Sequence, residues 1–219
     1  MNKTNHREQI AILSESEGIF TTAQAERSGI PRDALHDAVE SGCLERVLRG
    51  AYRMVGSGSS YTDELAAVWK LTDPARFSHE RVQPDDWDGV VVGGSTAASL
   101  LEIGDFYLSP YRLYAPRRVN SRNPIARFSR REVERADVSF ASGLPVTRPE
   151  RTIADLVLDD EDSSPVADAL RDAAYDDREF DFERVRSLLV EALGPVRGER
   201  AYRALLDESG IAEDGREER

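Results

Sequence analysis

The sequence contains a single cysteine, Cys43, and only three histidines among its 219 residues. One cysteine excludes an internal disulfide and any zinc site built on several cysteines. His6, His36 and His79 are too scattered along the chain to indicate a metal centre or a catalytic triad. We therefore expect no metal, no other cofactor and no catalytic residues.

Long apolar runs are also lacking. A membrane-spanning helix needs roughly 20 apolar residues, whereas the densest short run, Val90–Val92, is bounded by glycines. The amino terminus lacks the apolar segment of a secretory signal. These absences predict a cytoplasmic protein with no membrane partner.

The net charge of −12 argues against a nucleic-acid partner until its distribution is considered. Residues 1–55 carry 7 basic and 8 acidic groups, and residues 112–135 carry 8 arginines against two glutamates. Residues 150–219 carry 10 basic and 21 acidic groups. The excess acid lies in the last third, which is a poor candidate for contacting DNA.

The first forty residues predict three helices. Apolar spacing indicates a helix over 5–15 that Gly18 ends, and a short second helix over 22–28 with a threonine cap, Thr21 or Thr22. A turn at 28–31 contains glycine and then proline, which suits the first position of a helix over 31–41.

Two strand-like runs follow, Leu44–Leu48 and Ala51–Val55, joined by Arg49 and Gly50. Such runs around a glycine-containing turn predict a β-hairpin. Three helices followed by a hairpin is the element order of a winged helix-turn-helix, in which the hairpin is the wing.

The predicted fold class is α+β. It comprises a winged helix-turn-helix domain (1–55), a flexible glycine–serine linker (56–60), a mixed domain with a small sheet and several helices (61–209) and a disordered acidic tail (210–219). Predicted helices in the mixed domain cover 61–71, 95–102, 150–158, 165–176, 182–193 and 198–208, with Ser95, Ser164 and Asp181 as amino-terminal caps. Predicted strands cover 90–92, 111–115, 125–129, 137–140 and 145–147.

The helix over 31–41 would enter the major groove of double-stranded DNA and present Arg32 and His36 from one side. The wing would add Arg46, Arg49 and Arg53. Four further candidate DNA contacts are Lys3, Arg7, Thr22 and Gln24.

Acidic residues on the same helix oppose this interpretation. Asp33, Asp37 and Glu40 would face the groove and be repelled by phosphates. The alternative is a protein-binding adaptor whose winged helix docks a partner without specific DNA binding.

Three motifs resemble one family. The first motif resembles the amino-terminal domain of the AbiEi-like antitoxins of type IV toxin–antitoxin and abortive-infection systems. It extends from Gly18-Ile-Phe-Thr-Thr-Ala-Gln-Ala25 through Arg49-Gly-Ala-Tyr-Arg53. Two further motifs resemble motifs of that family's second domain. They are Ser95-Thr-Ala-Ala-Ser-Leu-Leu101 and Gly143-Leu-Pro-Val-Thr-Arg-Pro-Glu-Arg-Thr-Ile-Ala-Asp-Leu156. The resemblance implies a repressor that binds an inverted repeat upstream of its own operon, with Arg32 and the wing arginines as DNA contacts. It also implies a second domain that counteracts a nucleotidyltransferase toxin.

A run of arginines in the second predicted domain has two interpretations. It comprises Arg117, Arg118, Arg122, Arg127, Arg130 and Arg131. We favour a solvated surface that pairs with the acidic last third within the fold. The alternative is a second nucleic-acid surface, or a site for the toxin or its RNA. Arg151 and Asp155, four apart on a predicted helix, are expected to form a structural pair.

Two enzyme interpretations fail on residue type. Gly93-Gly-Ser95 followed by Asp105 half matches a nucleotidyltransferase signature, but Tyr107 occupies the second carboxylate position needed to bind two metal ions. A nuclease typically uses lysine or glutamine beside its carboxylates, and the acidic stretch after Leu158 contains no lysine.

Overall fold

The structure is a computed structural model that describes residues 3–121, 123–176 and 180–211. The chain is α+β and separates into two compact units, Met1–Asp88 and Gly89–Arg219. The elements of the first unit are α1 (Lys3–Glu17), β1 (Phe20–Thr21), α2 (Thr22–Arg27), α3 (Arg32–Glu40), β2 (Leu44–Leu48), β3 (Ala51–Met54), α4 (Asp63–Lys70) and α5 (Ser78–Val82). A 3-10 turn at Pro84–Asp86 follows.

The helix-turn-helix is formed by α2 and α3, and a reciprocal cap fixes where α2 begins. The Thr21 hydroxyl accepts the Gln24 backbone N–H at 3.1 Å, and the Gln24 side chain accepts the Thr21 N–H at 2.9 Å. Gly29, at φ 79°, supplies the left-handed conformation of the turn. The predicted three-helix arrangement is therefore confirmed.

The wing is part of a three-stranded antiparallel sheet in the order β1-β3-β2. Period-two alternation sends Tyr52 to one face of β3, where it joins the core of α1, α2 and α3 around Phe20 and Leu35. Ala51 points to the other face and packs with Ile19 and Ala67. Both faces of the wing are thus covered, one by the helix-turn-helix and one by α4.

This packing corrects the predicted domain boundaries. The glycine–serine stretch at 56–60 is exposed, but it connects the wing to a helix that folds back on the same sheet. Its composition resembles a flexible linker, yet the first compact unit continues to Asp88 and the second begins at Gly89. The segment 61–88 belongs to the first unit and not to the mixed domain.

The second unit contains a mixed five-stranded sheet. Its elements are β4 (Val91–Val92), α6 (Gly94–Leu100), β5 (Tyr111–Ala115), β6 (Ala126–Arg130), β7 (Val138–Ala141), β8 (Leu144–Thr147), α7 (Pro149–Leu158), α8 (Ser163–Asp176), α9 (Phe182–Leu193) and α10 (Pro195–Ser209). The strand order is β6-β5-β4-β8-β7, so β6 and β7 are the edges. Helices α6 to α10 surround an apolar core that includes Ile153, Leu170 and Leu189.

One of the three predicted caps is confirmed, and the predicted disordered tail begins too early. Asp181 caps α9 as predicted, because its carboxylate accepts the Arg184 N–H at 3.0 Å. Ser95 and Ser164 are not caps, because α6 begins at Gly94 and α8 at Ser163. Of the predicted disordered tail, Ile211 is buried against the α10 core, and residues 212–219 lie outside the described residues.

Gly198 permits the close approach of α10 to α9. A Cβ atom added there would lie 2.5 Å from the Val190 Cα and 2.7 Å from the Leu189 carbonyl oxygen. Backbone atoms cannot rotate away, so we expect Gly198→Ala to lower the free energy of unfolding by about 1–3 kcal/mol through overpacking. This outweighs the roughly 1 kcal/mol that alanine gains over glycine in helix propensity. Urea denaturation would measure the change in the free energy of unfolding, with Arg197→Ala at the exposed neighbouring position as the control. A variant as stable as the parent would contradict the close packing.

Candidate nucleic-acid interface

Helix α3 exposes one side of the helix-turn-helix. The side chains of Arg32 and His36 are 76% and 65% exposed, as a groove-reading helix requires. Each already has an acidic neighbour: Arg32 Nε donates to Glu26 Oε1 at 2.6 Å, and His36 Nε2 lies 3.4 Å from Glu40 Oε1. These exposed pairs contribute little to stability, so a phosphate or base can replace the carboxylate.

Acid also dominates the exposed surface around those two cations. Asp33, Asp37 and Glu40 are all exposed on α3. The helix alone therefore offers a polyanion little net attraction, and most of the electrostatic binding energy must come from elsewhere in the unit.

Two exposed cations lie on the wing. Arg46 on β2 is exposed, with its guanidinium 5.8 Å from the Tyr52 ring centroid. Arg49 is exposed at the hairpin turn beside Gly50, whose φ of 88° allows the tight bend. Neither arginine has a carboxylate partner among the residues that the structure describes.

The surroundings of Arg53 contradict the prediction that it contacts DNA from the wing. Its side chain is only 12% exposed and pairs with Glu45, its cross-strand neighbour, and with Asp63 of α4 at 3.3 Å. Two carboxylates neutralise its charge, so it fastens α4 to the wing and has no free donor face for DNA.

Gln24 is a second correction. It is fully buried, and besides capping α2 its amide nitrogen donates to the Arg76 carbonyl oxygen at 2.8 Å and to Glu17 at 3.2 Å. All of its polar groups are used inside the unit, so it cannot reach a base.

The remaining predicted contacts stay predictions. Thr22 is half-buried, and its N–H donates to the Gly50 carbonyl oxygen at 3.0 Å, which ties α2 to the wing turn. Arg7 is exposed on α1. Lys3 begins α1, but its side chain lies outside the described residues.

Most cations of the first unit are committed to internal ion pairs. Those with carboxylate partners are Arg27, Arg32, Arg53, Lys70 and Arg81. Arg7, Arg46, Arg49 and Arg76 have none within the described part of the chain, and Arg76 is bonded to backbone carbonyl groups. The sequence could not show the whole distribution, because Arg27 and Lys70 pair with carboxylates 53 residues away along the chain.

The arginine run of the second unit divides into two groups. Arg131 pairs with Asp155 at 2.8 Å and Asp159 at 2.7 Å, and its guanidinium lies 4.5 Å from the Tyr114 ring centroid. It fits the predicted internal pairing with the acidic last third. Arg117, Arg118, Arg127 and Arg130 are exposed, and Arg122 lies outside the described residues.

The motif that ends at Leu156 builds a buried junction between β8 and α7. The hydroxyls of Thr147 and Thr152 lie 2.7 Å apart, and Arg151 Nε donates to Asp155 at 2.9 Å as predicted. Asp155 is fully buried, and burial raises its pKa above the ordinary value against the opposing effects of Arg151 and Arg131. These residues hold the second unit together and form no open site.

Two residues of the acidic stretch after Leu158 likewise form internal ion pairs. Asp159 pairs with Arg112 and Arg131, and Glu161 pairs with Arg112 at 2.8 Å. No group of three histidine, cysteine or carboxylate side chains within the described ranges could hold a metal ion. Those ranges also contain no helix long and apolar enough to cross a membrane.

Comparison with known proteins finds one family model that matches part of the first unit. The family model described as the transcriptional regulator AbiEi antitoxin matches residues 8–55, which span the helix-turn-helix and the wing. No curated protein matches the chain. The crystal structure of the RV2827C protein from Mycobacterium tuberculosis is similar over 96% of this chain and 79% of that chain, with 18% identity and a TM-score of 0.59. That likeness shows a shared fold. The likeness to the AbiEi antitoxin family of transcriptional regulators is thus shown for residues 8–55.

Proposed function

We propose that this protein is a DNA-binding repressor and type IV antitoxin that represses its own operon by binding an inverted repeat upstream of it. The observation that carries the proposal is an exposed α3 beside a wing whose Arg46 and Arg49 are exposed and unpaired with carboxylates. Such a helix fits the major groove, and the two arginines can bind adjacent phosphates.

The acidic surface of α3 suggests how sequence is read. A carboxylate can accept a hydrogen bond from the cytosine amino group, while Arg32 can bind guanine once it leaves Glu26. Binding then depends on the wing for affinity and on α3 for specificity. Two copies on an inverted repeat would double the number of wing contacts.

Substitution of the wing arginines tests the proposal. We expect the double variant Arg46→Ala, Arg49→Ala to weaken binding to the upstream DNA about 100-fold, since each charged hydrogen bond contributes roughly 1.5 kcal/mol or more. The slope of log affinity against log salt should fall by about 1.8 for two lost phosphate contacts. Fluorescence anisotropy across a salt series would measure both.

Arg200→Ala with Arg203→Ala on α10 is the matched control, because it removes two exposed positive charges from the second unit. Equal losses of affinity in both variants would show that the effect depends only on net charge. An unchanged affinity in the wing variant would remove the wing from the mechanism.

The acidic face of α3 also favours one competing function, a winged helix that docks a protein. Under that alternative, the parent protein would show no salt-sensitive binding to any upstream duplex.

Neutralisation of a nucleotidyltransferase toxin by the second unit is the other part of our proposal. Expression of the protein together with a neighbouring nucleotidyltransferase gene should restore the growth that the toxin alone inhibits. The wing variant should restore that growth as well.

A further inference from the structure

We propose that the second unit docks directly on a basic protein surface through two exposed tyrosines, Tyr107 and Tyr175, together with Asp105 and Asp172. We call these four residues the tyrosine surface. The proposal rests on the proposed function, which supplies the partner, a nucleotidyltransferase toxin. It adds direct contact between the two proteins and names the residues that make it.

Both tyrosine side chains extend into solvent. Tyr107 is 86% exposed and Tyr175 is 87% exposed, which makes them the most exposed large hydrophobic side chains among the described residues. Neither forms a hydrogen bond or a ring contact with another described residue. Tyrosine is enriched among the residues that dominate binding energy at protein interfaces, because its ring buries a large area while its hydroxyl keeps a hydrogen bond. The fold does not use these two rings, so they are available as anchors.

The two tyrosines are close enough to bind one partner, because the loop after α6 lies across α8. The Gly104 N–H donates to Asp172 Oδ2 at 2.8 Å. A Cβ atom added at Gly104 would lie 3.1 Å from the Ala169 Cβ, so the loop backbone contacts the helix directly. Tyr107 lies three residues after Gly104, and Tyr175 lies about one helical turn after Asp172. These links keep the tyrosines within roughly 20 Å of each other, which an interface of about 800 Å² per partner spans.

The charge around the tyrosines is negative. Asp105 and Asp172 are exposed, and neither forms an ion pair with the residues that the structure describes. The sequence has no lysine or arginine within 82–111, so the loop brings no cation of its own. Arg171, the cation next to Asp172 on α8, is paired with Asp168. The tyrosine surface therefore complements a protein surface that is rich in lysine and arginine.

A nucleotidyltransferase must carry such a surface. Its nucleotide substrate has several phosphate charges, so cations have to line the approach to its active site. Arginines there can pair with the aspartates and stack on the tyrosine rings. The same aspartates disfavour nucleic acid as the ligand. They also disfavour a second copy of this chain on the same surface, because a two-fold contact would bring like charges together.

The test measures binding of the full chain to the purified product of the neighbouring nucleotidyltransferase gene by isothermal titration calorimetry. Tyr107→Ser with Tyr175→Ser should weaken binding at least roughly 30-fold. Tyr107→Phe with Tyr175→Phe keeps both rings and should retain most of the affinity. Asp105→Lys should weaken binding roughly tenfold and make it less sensitive to salt. All of these side chains are exposed, so thermal unfolding of each variant should match that of the parent.

Two exposed positions elsewhere provide matched controls. Tyr61→Ser removes a tyrosine that is 68% exposed in the first unit, and Asp207→Lys reverses an exposed charge on α10. Both should leave the affinity for the toxin nearly unchanged. Losses in the controls equal to those in the tyrosine surface would overturn the proposal.

The growth assay separates this proposal from the proposed function. A parent protein that restores growth without binding the toxin overturns the docking surface and leaves neutralisation intact. A parent that binds through the tyrosine surface without restoring growth supports the docking surface and removes neutralisation, and a parent that does neither overturns both. The docking surface also fails if the serine variant binds the toxin normally but sediments as a smaller species than the parent, because the tyrosines would then join two copies of this chain.

Discussion

Replacing Arg131 by methionine is expected to lower the free energy of unfolding by about 3–5 kcal/mol, because it leaves Asp155 buried beside one guanidinium where it had two. Asp155 is fully buried, and its Oδ2 already makes no hydrogen bond with the described residues. Methionine keeps apolar contact with the Tyr114 ring, so the loss reports mainly the missing charge. Urea denaturation at pH 7 measures the difference.

The pH dependence of that difference identifies Asp155 as its cause. Burial already raises the pKa of Asp155 above its ordinary value of 3.8. As the pH rises through and above 3.8, ionisation of Asp155 therefore lowers the free energy of unfolding. Without Arg131 the pKa rises further. The deficit should therefore shrink as pH falls through that raised pKa, and Asp155→Asn should recover much of it at pH 7.

Arg130→Met is the control for Arg131→Met, because Arg130 is an exposed neighbour without a carboxylate partner. We expect it to change stability by no more than about 0.5 kcal/mol. Equal effects of the two substitutions would show that the buried ion pairs contribute nothing specific.

The second large effect is expected from Lys70→Met in the first unit, again about 3–5 kcal/mol. Lys70 and Glu17 are 5% and 4% exposed, and their charged atoms lie 2.5 Å apart. Glu17 also accepts the Ser78 hydroxyl at 2.7 Å and the Ser78 N–H, so the pair joins α1, α4 and α5. Removing the ammonium group leaves a buried carboxylate without its counter-ion.

Lowering the pH distinguishes loss of the Lys70–Glu17 ion pair from a loss of packing. Burial acts to raise the pKa of Glu17, but Lys70 and the Ser78 hydrogen bonds outweigh it and hold the pKa below 4.5. In the parent, the stability from Glu17 is present above pH 4.5 and is lost as pH falls through the lowered value. In Lys70→Met the pKa should rise above 4.5, so the gap between variant and parent closes on acidification.

A double variant and a surface control complete that experiment. Glu17→Gln combined with Lys70→Met should be more stable than Lys70→Met alone, because no charge remains buried. Glu15→Gln on the exposed side of α1 should be nearly neutral. A Lys70→Met variant whose deficit does not change with pH would contradict the ion-pair account.

The sequence predicts most elements, because their signals are local. Glycine and proline mark the turn between α2 and α3, and Asp181 marks the start of α9. Strand β1 has no local signal in the sequence, since two residues are too short to show alternation. The packing of α4 was missed because exposed glycine and serine precede it, and only long-range contacts with β1 and β2 reveal its partner.

Within the candidate site, local patterns could have corrected one assignment. Thr21 followed three residues later by Gln24 is a capping-box signature, which would have removed Gln24 from the DNA contacts. The pairing of Arg53 with Glu45 follows from the hairpin register. Its second partner, Asp63, comes from α4, and no sequence pattern indicates that contact.

The apolar face that α4 covers has a practical consequence for anyone who wants to isolate the DNA-binding half. The family match ends at residue 55, but a fragment cut there would leave Ile19, Val47 and Ala51 facing water on a sheet with one bare side. Such a fragment would tend to aggregate through that side and give a false negative in a binding assay. A fragment that ends at Asp88 keeps the sheet covered.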